Sequence, residues 1–185
     1  RLMERTGLLE VVAPDLARQR GLSQNKIENE DLWDHTLRTV DAAPDRPVVR
    51  LASLLHDIGK PGTLADGHFH GHESIGAKMA RDFLAGLRAP RALQERVAHL
   101  VLHHMFSYQP TWSDAAIRRF LSKVGPGSVD DLLALRAADN QGSGLSAEAG
   151  HLAELATRIR EELAAHVVLG RGQLAVDGDI LMAEL

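Results

Sequence analysis

A chain of 185 residues fits one domain, because near 150 residues folding already buries roughly 68–70% of the unfolded surface and no covalent staple is needed. The absence of cysteine excludes disulfides, thiolate zinc sites and cysteine nucleophiles together. A net charge of −4 argues against a general nucleic-acid coat, so a phosphate substrate is expected to be drawn by a metal.

No apolar run approaches the roughly 18–20 residues that span a membrane, and the start, Arg1-Leu2-Met3-Glu4-Arg5, carries no signal-peptide pattern. A cytoplasmic protein without a membrane partner is the expectation. The missing initiator methionine and the helix-like end Ile180-Leu181-Met182-Ala183-Glu184-Leu185 read as a piece of something longer. Oligomeric state is left open.

Helical periodicity runs through almost every segment and no stretch alternates as a half-buried strand does, so the fold class is all-α, a compact helical bundle. In chain order, Pro47 opens a helix, Leu51, Leu54, Leu55 and Ile58 follow at helical spacing, and Gly59 with Pro61 supply a stop. His56 and Asp57 fall in its last turn. The turn-like Asp66-Gly67-His68-Phe69-His70-Gly71 precedes a helix marked by Ile75, Met79, Phe83 and Leu87, with His72 at its start.

From Pro90 a further helix sets Leu93, Val97, Leu100, Val101 and His104 on one stripe, whereas His99 and His103 share a more polar side with Arg96. Spacing therefore prefers His104 to His103. Ser128 with Asp131 reads as an acidic variant of the capping box, opening a helix with Leu132, Leu135 and Asp139 on one face. An inward carboxylate needs a cation, a hydrogen-bond network or a proton. The last long helix, roughly 146–168, stacks Leu152, Leu155, Ile159, Leu163 and Val167 and looks structural, with Gly142, Gly144 and Gly170-Arg171-Gly172 at its ends. The organisation expected is one domain over 1–185, with a metal-binding core at about 27–140 and a C-terminal helical part at 146–185.

The chemistry concentrates in Leu54-Leu55-His56-Asp57-Ile58-Gly59-Lys60-Pro61. Adjacent nitrogen and oxygen ligands suit a transition metal better than calcium or magnesium, which prefer oxygen shells. His35, His56, Asp57, His72, His104 and Asp139 suffice for two ions bridged by a carboxylate and a water. Alternatively His35, His56, Asp57 and Asp139 hold one ion, and His72 and His104 touch substrate. His70 and His103 stand as substitutes for their neighbours His72 and His104. Lys60 either points its ammonium at a phosphate or compensates a helix C-terminus. Arg118 and Arg119 are candidates for a phosphate or RNA backbone, against an ordinary solvated face. His68 and His99 read as surface or supporting residues, and His151 and His166 as hydrogen-bonded core residues.

These residues resemble the HD-domain superfamily of metal-dependent phosphohydrolases: His35 in Asp31-Leu32-Trp33-Asp34-His35-Thr36, the His56-Asp57 pair, and Asp139 in Ala137-Ala138-Asp139-Asn140. Phe69-His70-Gly71-His72-Glu73, Leu100-Val101-Leu102-His103-His104-Met105, Ile117-Arg118-Arg119-Phe120-Leu121 and the closing Val176-Asp177-Gly178-Asp179-Ile180-Leu181-Met182 are similar to the HD region of bacterial tRNA nucleotidyltransferases and poly(A) polymerase-like proteins. That family's nucleotidyltransferase head has no counterpart in the sequence, so an excised domain or a free-standing relative is expected. The resemblance implies 2′,3′-cyclic phosphodiesterase, 2′-nucleotidase and phosphatase activity with a divalent transition metal: manganese, iron, cobalt or nickel before magnesium. Asp57 and Lys60 would carry the catalysis, and the substrate would be a nucleotide or RNA-terminus phosphoester. The rival reading is a non-catalytic module that binds tRNA or senses nucleotides.

Overall fold

A computed structural model describes residues 1–24, 27–65 and 68–165. Three short helices, α1 (Leu2–Arg5), α2 (Leu8–Val12) and α3 (Pro14–Ala17), lead into α4 (Leu32–Ala42) and α5 (Pro47–Leu55). A two-stranded hairpin, β1 (Leu64–Ala65) and β2 (His68–Phe69), precedes α6 (His72–Gly86), α7 (Arg91–His103), α8 (Asp114–Val124), α9 (Val129–Gly142) and α10 (Leu152–Ala164). The fold is all-α, as expected, apart from that hairpin. Its strands are too short to show alternation, and the sequence reads the segment only as a turn. Among the described residues no helix is long and apolar enough to cross a membrane.

The core forms around α5, which packs against α4, α7 and α9. Val49, Ala52 and Leu55 of α5 are fully buried and meet Trp33, Val97, Leu100, Val101, Leu132 and Leu135 in one cluster. A side chain of leucine size contributes about 1.5–3 kcal/mol when buried, so this cluster fixes the helix whose end carries His56 and Asp57. Pro47 starts α5 as expected, but its last helical residue is Leu55. His56 is the C-cap, and Ile58 N–H and Lys60 N–H bond back to the Leu55 and Asp57 carbonyls at 3.2 and 3.0 Å.

The stripe expected on α6 holds only in its middle, where Met79 and Phe83 pack partly buried against the core. Ile75 and Leu87 are largely exposed, and the inward face is His72, Gly76, Ala77, Ala80 and Leu84. Small residues win there because backbones must approach closely: a Cβ on Gly59 would lie 2.4 Å from the His72 carbonyl oxygen and 2.8 Å from the Gly76 nitrogen. Gly59 therefore does more than end α5. It lets the turn after α5 touch the start of α6.

Two further expectations need correction. Ser128 makes no side-chain cap on α9, and Asp131 is held instead by Arg46 and Arg96, each at 2.9 Å. A reciprocal capping box forms at the start of α4: Asp34 N–H donates to Asp31 Oδ1 at 2.9 Å and Asp31 N–H to Asp34 Oδ2 at 3.3 Å. The last helix begins at Leu152 rather than near 146, since Asn140 Nδ2 ties the preceding loop by the Ala147 and Ala149 carbonyls at 3.2 and 2.9 Å. His151 is exposed at its start, not a core residue. His166, Val167, Gly170-Arg171-Gly172, the 176–182 segment and Asp66-Gly67 lie outside the described residues.

Candidate metal centre

Each candidate ligand arrives from a different helix or helix end: His35 from the first turn of α4, His56 and Asp57 from the turn after α5, His72 from the start of α6, His104 from the end of α7 and Asp139 from α9. All six are buried. His35 Nε2 stands 3.1 Å from His56 Nε2, and His72 Nε2 stands 3.3 Å from His104 Nε2. Asp57 divides its oxygens between the two pairs. Its Oδ2 is 3.1 Å from His56 Nε2 and 3.6 Å from His35 Nε2; its Oδ1 is 3.4 Å from His72 Nε2 and 3.7 Å from His104 Nε2. Asp139 Oδ1 joins the first pair at 3.2 Å from His35 Nε2 and 3.8 Å from His56 Nε2.

One local device aims three of the four imidazoles. Nδ1–H of His56, His72 and His104 donates to the carbonyl three residues earlier, on Ser53, Phe69 and Val101, at 2.8, 2.7 and 2.6 Å. For His56 and His104 the acceptor is a carbonyl in the last turn of a helix, where backbone oxygens lack an intrahelical partner. A carbonyl can only accept, so Nδ1 carries a proton, and the ring when neutral turns a lone pair inward at Nε2. His35 lacks this orienter among the described residues.

Two lone pairs facing each other at 3.3 Å repel unless an electrophile lies between them. Ligands about 2.0–2.2 Å from a tetrahedral or octahedral ion stand roughly 2.8–3.6 Å apart along its edges, and most of the donor separations above fall in that range. Both oxygens of Asp57 are buried; beside the Lys60 ammonium at 2.7 Å from Oδ2 they face the imidazole nitrogens of the two pairs, a setting that favours a further cation. The donor set therefore fits a divalent ion at His35, His56 and Asp57 and another at Asp57, His72 and His104.

The fields on Asp57 and His56 suit such a donor set, whereas the field on His72 favours its protonated ring. Burial alone would push the Asp57 carboxyl up, but His56, the Lys60 ammonium and the His104 ring outweigh it and hold it well below its ordinary range. Burial pulls the His56 imidazole down, partly opposed by Asp57, which keeps it a neutral donor. His72 is raised: its burial is outweighed by the hydrogen bond and charge of Asp57 and by the Phe69 carbonyl.

Lys60 Nζ lies 2.7 Å from Asp57 Oδ2 and donates to Gln24 Oε1 at 2.5 Å. It is buried in a short 3-10 turn, so it faces the site rather than serving as a solvated helix terminus. A depression of about 400 Å³ opens over Asp57, Lys60, His104 and Asp139, with Arg136 on its wall. Arg136 escapes a reading by sequence. Its Nη1 sits 3.3 Å from Asp139 Oδ2 and its guanidinium 5.8 Å over the Phe106 ring; the i−3 spacing to Asp139 was the available signal.

The remaining candidates lie elsewhere. His70 is exposed beside His68, and His103 meets His99 edge to face at 4.6 Å between ring centroids, so neither enters the cluster. Arg118 is bound to Glu162 of α10 at 3.2 Å, and Arg119 is exposed on the outer face of α8; neither lines the depression over the ligands.

With this arrangement in view, comparison with known proteins identifies the class: the HD domain matches residues 30–143, and the chain belongs to that family. Among its relatives, the CC-adding tRNA nucleotidyltransferase of Thermus thermophilus is 41% identical over 150 residues, 75% of this chain and 34% of that protein. The A-adding tRNA nucleotidyltransferase of Deinococcus radiodurans is 35% identical over the same shares. The multifunctional CCA protein of Legionella pneumophila is 35% identical over 82 residues, 40% of this chain and 20% of that one. The chain thus spans about a third of the length of its more extensively matched relatives.

Proposed function

We propose that this chain is a metal-dependent phosphohydrolase acting on nucleotide or RNA-end phosphoesters, 2′,3′-cyclic phosphates among them, through an HD core at about residues 27–140. The observation that carries the reading is Asp57, which turns one oxygen to each of two histidine pairs. A divalent ion held there supplies Lewis acidity and a nucleophile at neutral pH. Imidazole-rich donors favour manganese, iron, cobalt or nickel over magnesium. A cytoplasmic setting belongs to this reading, since its substrates are nucleotides and RNA.

The chain's own groups divide the remaining work. His56, His72 and His104, locked by their backbone acceptors, hold their Nε2 atoms without reorganisation. Lys60 places a buried ammonium beside Asp57 at the floor of the depression, where it neutralises charge building on phosphoryl oxygens. Arg136 presents further N–H donors from the wall. Fit of this kind suits a phosphoryl group, which asks a site for positioning and charge rather than covalent chemistry.

The test is hydrolysis of 2′,3′-cyclic AMP and a generic phosphodiester by metal-stripped protein refilled with manganese, cobalt, nickel or magnesium, beside Asp57→Ala. Metal-dependent turnover absent from the variant supports the reading. Turnover unchanged in Asp57→Ala would sink it. A second reading, a module that binds tRNA or senses nucleotides without hydrolysis, is favoured by relatives named for tRNA nucleotidyl transfer; salt-sensitive tRNA affinity with no turnover under any metal would select it.

A further inference from the structure

Beside Met105, a second depression of about 470 Å³ runs along the outer face of α8. Met105 lines both depressions, so the two adjoin at that side chain. Its floor is aromatic: Phe106 contacts Phe120 at 5.2 Å between ring centroids, and Phe120 contacts Trp112 at 5.9 Å. Phe106 and Trp112 are only half-buried and Met105 is 58% exposed.

The rim is cationic. Arg119 and Lys123, one helical turn apart on α8, are exposed and line it. Lys123 lies close enough to His103 to push that imidazole down, after burial and beside His99. No carboxylate lines the depression, and among the described residues Arg119 and Lys123 have no acidic partner. That contrasts with Arg118, bound to Glu162, and with Arg46 and Arg96, both bound to Asp131. In a chain of net charge −4, two uncompensated cations one helical turn apart thus stand beside half-open rings.

Rings flanked by cations suit one ligand chemistry: a single strand of nucleic acid, whose bases stack on aromatic faces and whose phosphates meet basic side chains. We propose that the Phe106–Trp112–Arg119–Lys123 surface binds the last nucleotides of a single-stranded polynucleotide and leads its terminal phosphate past Met105 toward Asp57 and Lys60. The inference rests on the proposed phosphohydrolase only for what happens to the terminus. The strand site itself stands on the rings and cations. It selects an oligonucleotide end over a free mononucleotide, because a mononucleotide cannot fill both depressions.

The test is fluorescence anisotropy of a labelled single-stranded RNA oligonucleotide over a salt series, with the wild-type chain, Arg119→Glu/Lys123→Glu, Trp112→Ala, and a control with equal charge change on other faces, Lys78→Glu/Arg91→Glu. Loss of two phosphate contacts should weaken binding at least about tenfold and flatten the log–log salt slope by roughly 1.4, at about 0.7 per contact on a single strand. Loss of the Trp112 ring should weaken it roughly 5–150-fold at the stacking strength typical of one base. Equal weakening in the control variant would overturn the proposal, since net charge alone would then explain it. So would a polyglutamate peptide of matching charge competing as well as RNA, because the rings would add nothing. A thermal melt of Trp112→Ala separates lost binding from lost fold, and the two surface charge variants decide the matter if it unfolds. Wild-type hydrolysis of 2′,3′-cyclic AMP is measured separately: its absence removes the phosphohydrolase reading and leaves the strand site to the anisotropy result.

Discussion

The two histidine pairs that share Asp57 are built differently. His72 and His104 both have Nδ1 locked to a backbone carbonyl and depend on a single carboxylate oxygen, Asp57 Oδ1. His35 and His56 have one locked ring between them but draw on two carboxylates, Asp57 Oδ2 and Asp139 Oδ1. The first pair is organised by backbone geometry and the second by negative charge. A cation is held more strongly where charge is opposed, so the His35, His56, Asp57 and Asp139 group is the tighter half.

Asp57→Ala should produce the largest effect, because it alone belongs to both halves. Metal content by elemental analysis and hydrolysis should both fall to background. Asp139→Ala should come next, lowering metal affinity by more than the roughly 10–100-fold that loss of an outer partner costs, whereas His104→Ala should leave one equivalent of ion bound. A titration in which His104→Ala loses metal as completely as Asp139→Ala would abolish the distinction between the halves.

Lys60→Ala sharpens the comparison from another side. Its ammonium contacts Asp57 Oδ2, the oxygen turned to the tighter half, so it competes there with any cation and neutralises charge on substrate. Turnover should fall about 10²–10³-fold, the scale of one lost preorganised donor, while metal affinity holds or rises. A fall in metal affinity would recast Lys60 as a structural prop.

How much of this was legible in the sequence follows the range of each signal. His56-Asp57 stood out as a dipeptide on an apolar helix, and the stripe through Val97, Leu100 and Val101 separated inward His104 from His103, because both are local patterns. The face of α6 was legible only in part, through Met79 and Phe83. Periodicity pointed to Ile75 and Leu87, while the decisive fact, the approach of Gly59 to the His72 carbonyl, joins two segments through space. Arg136 was missed for the same reason: its place on Phe106 depends on how α9 meets the loop after α7. The N-terminal helices, with Leu9 and Leu16 in the core, gave too short a period to be read.

That close approach supplies the smallest and most local prediction. Gly59→Ala would set a methyl group 2.4 Å from the His72 carbonyl oxygen and 2.8 Å from the Gly76 nitrogen, so the turn and the start of α6 must separate. Overpacking of this kind costs typically about 1–3 kcal/mol, read as a lowered unfolding midpoint. The displacement should also be directional. His72 moves with α6 while His35, His56 and Asp139 stay on α4, the α5 turn and α9, so the backbone-organised half should lose its ion and the charge-organised half keep it. Equal loss from both would mean that the halves share one rigid frame, and that the difference between them lies in their ligands alone.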